Sequence, residues 1–313
     1  PHCWRTDKPV LYYPLDSWFI KTTAVKEKLV ELNKTINWKP ESTGTGRFGN
    51  WLENLVDWNL SRSRYWGTPL PIWRTEDENE EVCIGSMAEL KGLLEASLTS
   101  DILSAEEKAV NKEYLDKFGS DKLDLHRPYV DHIVLVSESG QKMFREPDLI
   151  DVWFDSGAMP YAQWGLDYDK LAAGDPLPFK ADYDSAFPAD FIAEGVDQTR
   201  GWFFTFHAIS TMVRGSVAFK NVVSNGLVLD KNGNKMSKRL GNGVDPFATI
   251  EKYSADATRW YMISNASPWD NLKFNEEGLD EVRRKFFGTI YNTYAFFALY
   301  ANIDQFSYSE ADI

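Results

Sequence analysis

The sequence predicts an α/β fold on three observations. Strand, polar turn, helix and strand follow one another between Ala189 and Leu229, the order of a βαβ unit. The polar turns Glu194 to Gln198 and Asn225-Gly226 fall at the carboxyl ends of those strands, where open parallel sheets hold ligands. From Asn275 the residues Leu279, Val282, Phe286, Ile290 and Phe297 mark a long amphipathic helix, the start of a helical domain. With 313 residues the chain has room for about two domains of ordinary size.

Element by element, Trp18-Phe19-Ile20 reads as a strand, and Ala24 to Asn33 as a short helix with Val25, Leu29 and Leu32 inward. Gly44-x-Gly46-x-x-Gly49 spells a dinucleotide-binding pattern. It is preceded by Trp38-Lys39-Pro40-Glu41 instead of an apolar strand, and no acid stands near twenty positions on, so a glycine-rich lead-in to a helix over Asn50 to Leu60 is the plainer reading. Between Thr75 and Arg127 the composition turns polar and acidic, as in an insertion. Ser86 to Glu89 there is a capping box, and Ser104 to Phe118 has the charge pattern of a solvated helix. Ile133 to Val136, the turn Ser137 to Gly140, and Lys142 to Arg145 form a hairpin that Pro147 ends. Asp190 to Ala193 is a strand, Thr199 to Val213 a helix and Asn221 to Ser224 a strand. The segments are thus 1–75 as a first segment of the domain that 128–274 continues, 76–127 as a polar helical insertion, 128–274 as the nucleotide-binding half, and 275–313 as the start of the helical domain.

Charge and composition exclude several classes. There are 34 basic against 47 acidic side chains, a net charge of −13, which argues against a surface that coats nucleic acid. No run approaches the roughly 18 apolar residues of a membrane span. Pro1 to Val10 carry His2, Arg5, Asp7 and Lys8 where a secretory signal needs an apolar core. Cys3 and Cys83 alone provide neither a disulfide framework nor a zinc spacing, so a reducing, cytoplasmic setting is expected. His2, His126, His132 and His207 have no metal-ligand or triad spacing, and His207 is expected to be packed. Neither a Gly-x-Ser-x-Gly elbow nor a phosphate loop of Walker type occurs.

Residues 230 to 239 hold four cations, Lys231, Lys235, Lys238 and Arg239, against one anion. Following a strand and turning at Gly233, they can clamp a polyphosphate through two ammonium groups; the same residues would also suit a solvated β-turn. Glu194, Asp197 and Gln198 can hold ribose hydroxyls and an ammonium group, or the two acids can cap the helix that follows. Trp153 and Trp202 stand beside polar turns and can wall an apolar pocket or belong to the core.

Lys235-Met236-Ser237-Lys238-Arg239 resembles the second signature of class I aminoacyl-tRNA synthetases. Three further blocks stand in that family's order: Ser61-Arg62-Ser63-Arg64-Tyr65-Trp66-Gly67-Thr68-Pro69, Asp151-Val152-Trp153-Phe154-Asp155-Ser156-Gly157, and Glu194-Gly195-x-Asp197-Gln198-x-Arg200-Gly201-Trp202. Trp-Phe-Asp-Ser-Gly and Tyr-Trp-Gly-Thr-Pro resemble the isoleucyl branch, where valyl members show Trp-Trp-Gly-His and a Trp-Phe-Ser-Ser form. The resemblance implies the C-terminal half of a Rossmann-like catalytic domain. Lys235 and Lys238 would stabilise ATP phosphates, Glu194 would face the amino-acid part of the adenylate, and Gly195, Asp197 and Gln198 its ribose. Asn225, Gly226 and Val228 would face adenine with Met236 beside them, and Trp153 and Trp202 would wall the isoleucine side chain.

The substrates so implied are isoleucine, ATP with Mg²⁺, and tRNA(Ile), for an enzyme expected to be a cytoplasmic monomer with no membrane contact. Isoleucyl enzymes are themselves the standard case of the limited discrimination that one methylene allows, so hydrolytic editing is implied as well. The family's first signature, of His-Ile-Gly-His type, its editing insertion and most of its anticodon-binding domain have no counterpart in these residues. The chain is expected to be an internal fragment, inactive alone. Where some relatives carry zinc cysteines, this chain has Arg74 and Glu76 to Glu81, and no structural zinc is expected. A valyl or leucyl enzyme, or a non-catalytic module binding tRNA or adenylate, are the competing readings.

Overall fold

A computed structural model of the chain describes residues 1–3, 6–120, 122–165, 186–237 and 239–310. They form two compact units, one of Pro1–Glu31, Trp51–Phe187 and Gly201–Ala218, the other of Leu32–Asn50, Pro188–Arg200 and Phe219–Ile313.

The first unit is built on an antiparallel sheet in the order Glu81–Cys83, Ile72–Thr75, Lys142–Arg145, Val134–Val136. The expected hairpin is its second half, with Gly140 at φ +84° in the turn. Two helices, Met87–Leu98 and Ala105–Lys117, pack on this sheet around Trp73, Leu94, Tyr114, Ile133, Leu135 and Met143. The second helix is less solvated than its charges suggest. Its buried Asn111 donates from Nδ2 to the Val134 carbonyl at 2.7 Å, and Ser97 Oγ of the first helix accepts from Val136 N at 3.1 Å. The polar groups of an edge strand are thus satisfied by side chains instead of a further strand.

The capping box lies elsewhere than expected. Ser86 Oγ accepts from Glu89 N, but Glu89 reaches past Ser86 to take the N–H of Gly85, whereas Ser104 and Glu107 form the reciprocal pair. The acidic turn 75–80 is held by its own hydrogen bonds. Asp77 accepts from Thr75 Oγ1 at 2.6 Å and from Asn79, which keep its carboxyl down at about 2. Glu80 accepts from Ser137 Oγ at 3.0 Å and from the Ser139 hydroxyl, closing this turn onto the hairpin turn.

Arg145 joins the sheet to the segments around it. Its side chain is 1% exposed, with Nε donating to Asp131 Oδ1 at 2.7 Å and Nη1 to the carbonyls of Leu70 at 3.3 Å and Asp148 at 3.1 Å. Short antiparallel pairs extend the unit, Phe19–Ile20 with Trp58–Asn59 and Ser61–Arg62 with Leu149–Ile150. The helix expected over Asn50 to Leu60 is therefore only Gly49–Glu53. Trp58 and Ser61 are taken by the strand pairs, and Asp57 turns aside to accept from the backbone and hydroxyl of Thr23. Likewise the strand at Trp18 is confined to Phe19–Ile20, and the next helix begins with a 3₁₀ turn, Thr22–Val25, ahead of Lys26–Asn33.

In the second unit Ile192–Gly195, Asn221–Asn225 and Asn37–Lys39 form a parallel sheet with Asn221–Asn225 in the centre. The strand at Asn37–Lys39 was not expected, because the polar ends of Asn37-Trp38-Lys39 mask a single buried residue. Trp38 packs on Phe48 at 5.0 Å and on Phe219 at 6.3 Å, and donates from Nε1 to Asn33 Oδ1, while Asn33 Nδ2 donates to the Gly44 carbonyl. The glycines after it form a π-helical turn, Thr43–Phe48, that leads into helix Gly49–Glu53. A Cβ on Gly44 would lie 2.2 Å from the Trp38 ring, so this glycine allows the close approach of that ring. Val228–Leu229 and Leu272–Lys273 form a separate parallel pair. The C-terminal helical run, Glu276–Glu281, the π-helical turn Val282–Phe287 and Gly288–Ile303, differs from the amphipathic expectation. Leu279 is fully buried, but nothing in Gly288–Ile303 is, and Ile290 and Phe297 are exposed.

The expected order strand, helix, strand is present, with the strands parallel; its helix, Trp202–Arg214, is counted with the first unit. His207 on that helix is fully buried, as expected, and donates from Nε2 to the Leu29 carbonyl at 2.9 Å. No helix among the described residues is long and apolar enough to cross a membrane.

Two predictions follow from this packing. Arg145→Met destabilises the chain by about 2 kcal/mol in urea unfolding, because it removes the buried guanidinium from Asp131, which keeps only Arg127, and leaves the Leu70 carbonyl without its donor; a loss below about 1 kcal/mol contradicts the role assigned to it. Burial holds His207 down at about 4, against an ordinary value near 6.5, despite the opposing effect of its bond to Leu29. The unfolded chain therefore binds a proton that the folded chain refuses between those values, and stability falls as pH drops from 6.5 to 4, by on the order of 3 kcal/mol from this residue. His207→Gln, followed by urea unfolding across that window, flattens the dependence.

Candidate nucleotide site

The parallel register does most of the assembly. Glu194 pairs with Ser224 and Gly195 with Asn225, so Glu194, Gly195 and Asn225 stand together at the carboxyl ends of adjacent strands. Glu194 and Gly195 are strand residues, one step earlier than the turn expected of them, because the strand runs Ile192–Gly195. The 3₁₀ turn Val196–Arg200 then carries Asp197 and Gln198, with Gln198 Nε2 donating to Asp197 Oδ2 at 3.3 Å. A Cβ on Gly195 would lie 2.6 Å from Asp197 Oδ1, so the glycine lets the Asp197 carboxylate keep its present rotamer.

The following helix begins after Gly201 with no side-chain cap, so neither Glu194 nor Asp197 caps it. The turn is anchored from below. Fully buried Thr199 donates to the Val196 carbonyl and accepts from Arg47 Nε at 2.8 Å. Arg47 carries no motif, and no spacing marks it.

At Gly226 the chain meets the segment Pro268–Asn271. The N–H of Gly226 donates to the Pro268 carbonyl at 2.9 Å, and a Cβ would fall 2.2 Å from the Asp270 carbonyl oxygen. Gly226 thus contributes close approach instead of a free donor. Val228 is exposed and pairs in parallel with Leu272.

The basic loop is an ordered turn. Gly233 at φ +87° closes it, the N–H of Asp230 donates to the Asn234 carbonyl and that of Gly233 to the Asp230 carbonyl, and Leu229 bridges Lys235. The Asp230 carboxylate accepts from the N–H groups of Asn234 and Asn232 and from the amides of Asn242 and Asn234; these bonds hold it below the usual carboxylate range. Asn242 spans the loop by donating to Asp230 and to the Lys235 carbonyl and accepting from Ser237 N. Met236 packs against the cluster of Tyr253, Tyr261, Leu272, Phe274 and Leu279 and lines an apolar cavity of about 170 Å³ with Val228, Val244 and Ile250. One side of the loop is therefore pinned to a core, while Lys235 and Arg239 are exposed. Lys238 lies outside the described residues.

Trp153 and Trp202 belong to the first unit. Asp151, buried at 4% exposure, caps the helix Val152–Gly157 by accepting from Trp153 N, and it also accepts from Trp58 Nε1 at 3.1 Å and Arg62 Nη2 at 2.9 Å. Thr68 Oγ1 donates to Asp155 Oδ1 at 3.1 Å, and burial raises the Asp155 carboxyl above its ordinary value. The blocks 61–69 and 148–157, far apart in the sequence, are thereby one local structure. Trp153 is 41% exposed and no core residue; Trp202 is half-buried, packs in a tilted pair on Phe206, and donates from Nε1 to the Ser156 carbonyl at 3.0 Å. Among the described residues no group of three His, Cys, Asp or Glu side chains is placed to hold a metal ion.

Residues 7–275 match the family described as tRNA synthetases class I (I, L, M and V). The chain is 69% identical over its whole length to the isoleucine–tRNA ligase of Cytophaga hutchinsonii, covering 26% of that protein, and 68% identical to that of Bacteroides thetaiotaomicron, covering 27%. It is 65% identical to the Porphyromonas gingivalis enzyme, again covering 27%. The chain thus spans about a quarter of the length of the curated relatives it matches. Among solved structures, Mycobacterium tuberculosis methionyl-tRNA synthetase bound by methionyl-adenylate has the same fold, with a TM-score of 0.52 at 16% identity over 90% of this chain and 39% of that one. The leucyl enzyme of Agrobacterium radiobacter K84, in a ternary complex with tRNA, gives 0.50 at 19% identity over 74% of this chain and 27% of that one. Strand register, ordered basic loop and family match converge: this chain belongs to the class I tRNA synthetases.

Proposed function

We propose that the polypeptide containing this chain is an isoleucine–tRNA ligase, which activates isoleucine with ATP and passes it to tRNA(Ile). The observation that carries this reading is the similarity of the whole chain to isoleucine–tRNA ligases, at 65% to 69% identity in the relatives described above. The isoleucine carboxylate attacks the α-phosphorus of ATP, the bond to the β-phosphate oxygen breaks, and pyrophosphate leaves isoleucyl-adenylate. Lys235 and Lys238 stabilise the negative charge that moves onto the departing phosphates, and Mg²⁺ accompanies ATP as its counter-ion.

Glu194 faces the ammonium of the amino acid, while Gly195, Asp197 and Gln198 face the ribose. Asn225, Gly226 and Val228 face adenine, with Met236 tethering the loop. The pairing of Gly195 with Asn225 and the exposure of Glu194 and Asp197 support these roles. Trp153 and Trp202 wall the side chain of isoleucine. The enzyme acts as a cytoplasmic monomer. The 313-residue chain alone does not turn over, since the first signature's share of the phosphate contacts is absent from its sequence. The helical run from residue 275 begins the anticodon-binding domain.

Exchange of pyrophosphate into ATP by the full-length protein tests this reading. Isoleucine-dependent exchange is expected, and dependence on valine or leucine in its place, or on no amino acid, contradicts it. In the full-length protein Lys238→Ala lowers the exchange rate by roughly 10² to 10³ with adenylate binding retained; an unchanged rate rejects the phosphate role.

A further inference from the structure

The helix Val152–Gly157 is fixed at both ends. Asp151 caps its start and is itself held by Trp58 and Arg62, while Trp202 Nε1 donates to the Ser156 carbonyl near its end. Trp153 stands in its first turn, and Trp202 is the first residue of the helix Trp202–Arg214, against which it packs. The contact between the two helices is made at Gly157. That glycine is buried, and a Cβ there would lie 2.9 Å from Ile209 Cδ1 and 3.0 Å from both the carbonyl carbon and the Cβ of Thr205. Its backbone has no positive φ among those of the described glycines, so the requirement is for space. Two of the three blocking atoms belong to the backbone or to the first side-chain carbon of Thr205 and cannot rotate away. Since carbon atoms rest at about 3.5 to 4.0 Å, a methyl group would move the helix off its neighbour by roughly half an ångström or more. With Ser156 still tied to Trp202, that displacement reaches Trp153.

We propose that Gly157 is a positioning residue that determines amino-acid specificity: its missing side chain sets the spacing of Trp153 and Trp202 by letting one helix seat on the other. This rests on the reading of those tryptophans as the walls of the isoleucine pocket. Such a pocket separates isoleucine from valine by one methylene, so its discrimination depends on wall spacing more than on any polar contact.

The test compares full-length parent, Gly157→Ala, Ile209→Val and the double variant by ATP–pyrophosphate exchange with isoleucine and with valine, alongside thermal unfolding. In Gly157→Ala the isoleucine KM rises about tenfold with kcat and ATP KM within about threefold of the parent, and the isoleucine-to-valine ratio of kcat/KM falls at least about threefold. Ile209→Val removes the Cδ1 methyl; alone it stays near the parent, and in the double variant it recovers part of the lost ratio. A purely structural role would lower the unfolding temperature and the active fraction but leave the ratio unchanged, and that result overturns the proposal. A parent without isoleucine-dependent exchange overturns the ligase reading and the proposal with it, whereas an active parent with an unaltered variant ratio overturns the proposal alone.

Discussion

The candidate nucleotide site depends on one register. By pairing Ile192 with Val222 in parallel, the chain brings Gly195 opposite Asn225, and every polar residue assigned to the adenylate follows from that pairing or from the turns that leave it. Parallel strands end side by side on one edge of a sheet, so two segments thirty positions apart release their polar turns at the same place. The central strand can hold this register because Asn37–Lys39 covers its other edge, with Trp38 locked by Phe48, Phe219 and Asn33. A slip by one residue would turn Val222 and Ser224, both buried, to the opposite face.

A second constraint acts on the basic loop. Clustered lysines repel one another and favour an open, mobile segment, but here Asp230 and Asn242 bind both arms and Met236 pins the loop to an apolar cluster. Lys231 and Lys235 are then presented on a shaped turn, with less ordering left to be done when an anion arrives. In the first unit Asp151 plays the corresponding part, since one buried carboxylate joins the start of a helix, a tryptophan and Arg62. Burying a carboxylate is costly unless it is paired, which is why the motif Ser61-Arg62 must lie against the motif that begins at Asp151.

What was legible in the sequence was whatever local pattern decides. The βαβ order, the hairpin at Val134–Arg145, the buried His207 and the basic loop could be read because periodicity, turn residues and charge are local signals. The strand at Asn37–Lys39 was missed since three residues with polar ends carry almost no periodicity. The helix after Gly49 proved short because its downstream residues are claimed by partners at Phe19–Ile20 and Leu149–Ile150, a competition no local window contains. For the same reason Arg47 and Asn242 were not picked out, and Asp151 was legible as the first residue of its motif but not as the carboxylate that ties that motif to Arg62. Each acts on a partner brought close only by the fold. The exposed aromatic face of Gly288–Ile303 shows the converse, a sequence apolar enough to suggest a core side where the described residues bury none of it.

The account stands on the claim that the adenylate lies across the carboxyl ends of these two parallel strands and beneath the basic loop. Hydrogen–deuterium exchange of the full-length protein, with and without a non-hydrolysable isoleucyl-adenylate analogue, tests it directly. Saturating analogue is predicted to slow exchange in 194–198, 225–228 and 230–239 while leaving the sheet and helices of residues 72–145 unchanged. Protection confined to other segments, with those three unaltered, would contradict it.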